Sequence, residues 1–180
     1  MVEADSLRYM KIPLNNGSGA IPALGFGTLI PDIIATKNAT KAALEAGFRQ
    51  LDASERYRNQ SHPYLPEWDL LDYCRENGIV LQAFAALGHS SEPKLLEDPV
   101  ITAIAKGVDK TPAQVLLGWG IQRGTALLTT SKTPSRIKEN FDVSTIPEDA
   151  VREVSEGIKS RVRFNTVVKT GVPGFIPREK

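Results

Sequence analysis

One cysteine, Cys74, in 180 residues excludes an intramolecular disulfide framework, and a reducing compartment is the expected setting. Histidine is nearly as scarce, with two. His62 and His89 lie in polar, turn-rich stretches and read as surface or turn residues, and neither has a second His, Cys or acid at metal-ligand spacing, so no metal is expected. Charge of one sign is lacking too. Twenty-two basic residues are interspersed with 21 acidic ones for a net charge of +1, which leaves no electrostatic footprint for nucleic acid or a membrane surface. No apolar run approaches the ~18 residues of a membrane span. The opening Met-Val-Glu-Ala-Asp has none of the apolar core of a signal peptide, so a cytoplasmic protein is expected.

What is present is 41% apolar content, enough for one respectable core at this length. Two short runs, 7–13 and 20–24, flank Asn15-Asn16-Gly17-Ser18-Gly19 and read as a β-hairpin, with Pro13 and Pro22 confining both strands to edges. Strands are expected at 24–29, 48–53, 79–84 and 126–130. Helices are expected at 33–46, 67–77, about 99–106, 112–121, 135–141 and 147–156. Gly47 stands where a helix-ending glycine belongs, Thr111-Pro112 and Thr133-Pro134 read as N-cap and first-turn pairs, and Leu70, Leu71 and Cys74 are expected on one buried face. The run at 79–84 is nearly continuously apolar, as in a strand covered on both faces. From 168 onward the tail reads as loop or disorder. Strands alternating with helices imply an α/β fold with a parallel sheet.

In such folds the chemistry gathers at the C-terminal ends of the strands. Polar or glycine-rich residues follow every expected strand here: Thr28, Asp52 to Tyr57, Phe84 to His89, and Thr130 to Lys132. An acid at a strand end with a tyrosine five positions on is a candidate active site.

The stretch Ile21-Pro22-Ala23-Leu24-Gly25-Phe26-Gly27-Thr28, followed by Gly47-Phe48-Arg49-Gln50-Leu51-Asp52 and Tyr57, resembles the opening of an aldo-keto reductase. His62-Pro63-Tyr64-Leu65-Pro66-Glu67-Trp68, the 79–88 run, Leu96-Glu97-Asp98-Pro99-Val100, Gln122-Arg123-Gly124 and Thr133-Pro134-Ser135-Arg136-Ile137-Lys138-Glu139-Asn140 resemble its later part. The resemblance implies an eight-stranded (β/α) TIM-type barrel that reduces aldehydes and ketones with NADP(H). Such a barrel takes roughly 250 residues. The similarity jumps near Asn59-Gln60 from just after the family's second strand to just before its sixth helix, so strands three to six are absent. The expected fold is an incomplete barrel, a half-barrel of four parallel strands matching strands 1, 2, 7 and 8, in the spatial order second, first, eighth, seventh. One truncated domain over 1–180 follows: hairpin and first βαβ unit at 7–60, C-terminal βα units at 61–158, and a tail at 159–180.

By the resemblance Tyr57 is the proton donor and Asp52 its electrostatic partner. The lysine and histidine that assist them in the family would lie on the absent strands. Positioned acid–base groups are typically worth about 10² to 10⁴ in rate, so their loss implies impaired catalysis. On the cofactor side the resemblance assigns Gly27, Thr28, Leu29 and Asp52 to the nicotinamide end and Phe84 to the ring-stacking position. It assigns Ala85 and Leu87 to the pyrophosphate loop, and Ser131, Arg136, Glu139 and Asn140 to the adenosine and 2′-phosphate site. Thr130 stands where many members have a phosphate-binding lysine, which weakens the expected NADP(H) site. The alternative reading is a catalytically impaired half-barrel that binds nucleotide weakly, or acts only by association with itself or a full-length relative. The expected partners are a small carbonyl substrate and a second copy closing the half-barrel as a homodimer, with neither nucleic acid nor membrane.

Overall fold

The structure, a computed structural model, describes residues 7–14, 17–27, 33–52, 61–88 and 92–164. Its first element is a small antiparallel pair, β1 (Lys11–Pro13) and β2 (Ala20–Pro22), in the register Ile12 to Ile21. Each proline sits at the end of its strand, where its missing N–H costs little. The expected 7–13 strand begins only at Lys11, because Leu7–Tyr9 forms a 3₁₀ turn that buries Leu7 and ties its N–H to the Val143 carbonyl.

Four parallel strands make the main sheet: β3 (Leu24–Gly27), β4 (Leu51–Asp52), β5 (Gln82–Ala83) and β6 (Ala126–Thr129). Their order in space is β4, β3, β6, β5, which is the order expected of the second, first, eighth and seventh positions. Among the described residues these strands do not close into a barrel. The two outermost strands are the shortest, and both are shorter than the sequence suggests. Ile79 is half exposed and Leu51 nearly so. The 79–84 run is thus not covered on both faces, because it lies at the rim of the sheet.

Among the described residues six α-helices accompany the strands: α1 (Ile33–Ala46), α2 (Trp68–Glu76), α3 (Pro99–Gly107), α4 (Pro112–Gln122), α5 (Pro134–Phe141) and α6 (Glu148–Gly157). Their starts follow local chemistry. Asp98 accepts from the Val100 and Ile101 N–H groups, and Thr111 with Gln114 forms a reciprocal capping box, each satisfying otherwise orphaned first-turn donors. Gly47 ends α1 at φ 116°, and a Cβ there would meet the Phe141 ring at 2.5 Å. Both the conformation and the space demand glycine.

One core lies between the sheet and the α1 and α5 layer, where Phe26, Phe48 and Phe141 stack in series at centroid distances of 5.6 and 4.8 Å. Such ring pairs are worth about 0.5–1.5 kcal/mol each beyond their buried area. A second core joins α3, α4 and α6 through Ile101, Ile104, Leu116, Trp119 and Val154. Helix α4 lies between the two, with Gly120 against Leu127 of β6 and Trp119 Nε1 donating to Ser155 Oγ at 2.9 Å. Helix α2 is held more lightly. Leu71 and Cys74 meet Leu81 in a small separate cluster, while Leu70 is exposed rather than sharing their face. No helix among the described residues is long and apolar enough to cross a membrane.

Candidate active and nucleotide site

The register of the sheet brings the predicted residues to one rim. Gly27 at the end of β3 stands opposite Asp52 at the end of β4, and Phe26 stands opposite Thr129 of β6. Thr130, one residue on, donates its hydroxyl to the Gly27 carbonyl at 2.8 Å, and a Cβ on Gly27 would meet that hydroxyl at 2.6 Å. Glycine at 27 is therefore what lets Thr130 lie over the strand end. On the other side Ala83 stands opposite Leu127, so Phe84 and Ala85 leave β5 at the same end of the sheet. Tyr57, Thr28 and Leu29 lie outside the described residues, and Asp52 is described by its backbone.

The loop after β5 is tight and strained. Ala85 has φ 57°, a left-handed conformation costing a residue with a Cβ roughly 1–2 kcal/mol, and its carbonyl accepts from the Gly88 N–H at 2.8 Å. Leu87 packs against both cores, so its side chain is a packing group. Phe84 is half-buried and belongs to neither core.

At the end of β6 the chain turns into α5. Ser131 Oγ accepts from the Thr133 N–H at 3.1 Å, which orders the turn ahead of the helix. Thr133 itself makes no side-chain cap, so the first-turn N–H groups of α5 have no hydroxyl cap. Arg136 stands in that first turn, exposed, with no ion pair or hydrogen bond among the described residues. Lys132 is exposed nearby and Glu139 is half-buried. Asn140 is buried and donates Nδ2 to Thr129 Oγ1 at 2.8 Å, locking α5 onto β6. Of Ser131, Arg136, Glu139 and Asn140, Arg136 is the exposed one.

Two features escape the sequence reading. His62 is fully buried rather than at the surface, stacked 4.6 Å from Phe164 with Tyr64 edge-on to it. Arg123 is buried against Trp68 and Trp119, its guanidinium carbon 4.3 and 4.6 Å from their ring centroids, and donates to the Pro66 carbonyl. Burial pushes its pKa down to about 10, with neighbouring Arg75 adding to the effect. The only sequence signal for it is a tryptophan one turn earlier in α4; the other, Trp68, is distant in the chain. Tyr64, buried and donating to Asp98 at 2.8 Å, is pushed up to about 12, first by burial and then by that hydrogen bond.

A parallel sheet with helices between its strands and polar residues at one rim is the architecture of barrel-type α/β enzymes. A crystal structure of an aldo-keto reductase from a Medee basin deep-sea metagenome library superposes with a TM-score of 0.73 at 22% identity, covering 88% of this chain and 99% of that one, which shows the fold. By sequence, the chain is 42% identical over 116 residues to prostaglandin F synthase 1 of Bos taurus, covering 58% of this chain and 35% of that protein. It is 30% identical over 175 residues to aldo-keto reductase family 1 member A1 of Sus scrofa, covering 89% of this chain and 49% of that protein. No protein-family model matches the chain. The chain is a relative of the aldo-keto reductases, and it spans about half the length of these curated relatives or less. That partial span is consistent with the absence of the family's middle segment.

Proposed function

We propose that β3, β4, β5 and β6 are one contiguous half of a (β/α)₈ barrel, standing for its first, second, seventh and eighth strands. Its rim binds NADP(H) and slowly reduces small aldehydes and ketones. The observation that carries this reading is the sheet order β4, β3, β6, β5, which brings Asp52, Gly27, Thr130 and Phe84 to one rim although they are scattered through the sequence.

The residues present fit the cofactor's phosphate end. Arg136 offers an exposed fork of donors at the start of α5, beside first-turn N–H groups that no side chain caps. An arginine fork beside a helix N-terminus is a natural seat for phosphate. Thr130 is committed to the Gly27 carbonyl and supplies no cation, so binding is weaker than a lysine there would give. When bound, the cofactor supplies the hydride. The chain's own part is proton delivery: Tyr57 gives its phenolic proton to the carbonyl oxygen, with Asp52 as its electrostatic partner. A tyrosine of ordinary pKa near 10 is a poor acid at neutral pH, which is why turnover is slow.

A second reading, nucleotide binding without turnover, is favoured by the element order. Among the described residues β4 is followed directly by α2, with no strand between them to carry an assisting lysine or histidine. NADPH oxidation with a panel of aldehydes separates the two. Turnover above the Tyr57→Phe background supports the slow reductase; a rate equal to that background leaves only nucleotide binding.

A further inference from the structure

The two sides of the half-barrel carry complementary helix faces. Helix α1 leads into the outermost strand β4, and its exposed residues recur at helical spacing: Ile34, Lys37, Asn38, Lys41, Leu44 and Glu45. Ile34 is 71% exposed, and Leu44 and Leu51 of β4 add apolar surface on the same side. With Arg49 just past the helix, this side has three cations against one carboxylate. Helix α2 leads into the opposite outermost strand, β5. Asp69, Asp72, Tyr73 and Glu76 form one exposed stripe at i, i+3, i+4 and i+7, with Leu70 and Ile79 exposed beside it. Tyr73 is 59% exposed. This side has three carboxylates against Arg75.

From these faces we propose that the chain pairs head-to-tail with a second copy of itself, the basic α1 stripe of each copy seated on the acidic α2 stripe of the other. The inference rests on the half-barrel reading of the sheet. The occupant follows from three observations together. The charges oppose. Each stripe sets large apolar side chains among its charges, as helix–helix contacts in barrel shells require. The outermost strands run parallel, so rotation by half a turn about an axis parallel to the strands brings β4 of one copy beside β5 of the other. A heterologous contact of this kind makes open fibres unless its rotation closes. Four strands from each copy complete the eight of a barrel, which closes it at two. Exposed apolar faces on both flanks find cover in the same step.

The test is sedimentation velocity on the full chain. Lys37→Glu with Lys41→Glu reverses the α1 stripe, and Asp69→Lys with Glu76→Lys reverses the α2 stripe; all four positions are exposed, so the fold tolerates them. Wild type is expected to sediment as a dimer at micromolar concentration, and each variant alone to dissociate at least about tenfold more readily, since like charges now face each other. An equimolar mixture of the two variants restores the dimer, because one contact then pairs the two reversed stripes and the other pairs the two native ones. A wild-type monomer, an assembly larger than two, variants that dimerise as wild type does, or a mixture that stays monomeric would each overturn the proposal. A chain that is monomeric alone and pairs only with a full-length aldo-keto reductase would overturn it as well. None of these outcomes bears on nucleotide binding, which is read separately.

Discussion

Gln50 and Gln82 meet across the inner face of the sheet: Nε2 of Gln50 donates to Oε1 of Gln82 at 3.2 Å, although one residue leads into β4 and the other begins β5. These are the outermost strands of four. Strands spaced about 4.8 Å apart would hold such edges roughly 14 Å apart in a flat sheet, so two side chains can bridge them only because the sheet curls. The Gln50 side chain lies over Gly25, where a Cβ would come within 3.1 Å of it, and its Oε1 is buried with no hydrogen-bond partner. The pair spans the hollow of the half-barrel.

Replacing either glutamine breaks this part-buried amide pair. Gln82→Leu and Gln50→Leu are each expected to cost about 0.5–1.5 kcal/mol. The double replacement should cost less than the two together, because the shared bond is then lost only once. A double-mutant cycle by urea unfolding measures this; strict additivity would show that the bond carries no energy.

Tyr64 ties alkaline stability to the second core. Its pKa stands at about 12 in the fold against 10.0 for the free side chain. The folded state therefore keeps this proton after the unfolded chain loses it. The stabilisation is fully present below pH 10 and is lost as the pH rises from 10 through 12. Tyr64→Phe is expected to flatten the fall in stability across that window, as read by denaturant midpoints at fixed pH. An unchanged slope would remove Tyr64 as its source.

Much of this was legible in the sequence wherever chemistry is local. Helix α1 has the boundaries its composition predicts, because Gly47 stops it, and the Thr111-Pro112 pair starts α4 as cap and first turn, whereas Thr133 ahead of α5 makes no side-chain cap. Strand lengths were less legible. Whether Ile79 or Leu51 is covered depends on what lies beside β5 and β4, and the apolar 79–84 run reads as covered on both faces although its place is at an edge. His62 reads as a turn residue by its polar surroundings, yet Phe164, a hundred residues away, buries it. Arg123 is hidden for the same reason, since half of its aromatic setting comes from α2. Gly27 and Phe84 lie at strand ends, as their motifs suggest, but that Asn140 holds α5 to β6 needed the contact itself.

Thr130→Lys puts a cation at the end of β6. NADPH affinity is expected to rise about tenfold, the order of one charge-assisted contact to phosphate. Losing the Thr130–Gly27 hydrogen bond should lower stability by roughly 0.5–1.5 kcal/mol. Calorimetric titration and thermal unfolding of the same variant check both halves, and affinity that falls in step with stability would contradict the first.

The account stands on the claim that this rim still holds a dinucleotide phosphate, and calorimetric titration of NADPH into wild type and Arg136→Ala tests that most directly. Arg136 is exposed and without partners among the described residues, so removing it leaves α5 intact. The account predicts saturable NADPH binding by wild type, about tenfold weaker in Arg136→Ala, with NADH, which lacks the 2′-phosphate, affected less. No saturable binding by wild type, or equal affinity in both proteins, would contradict it.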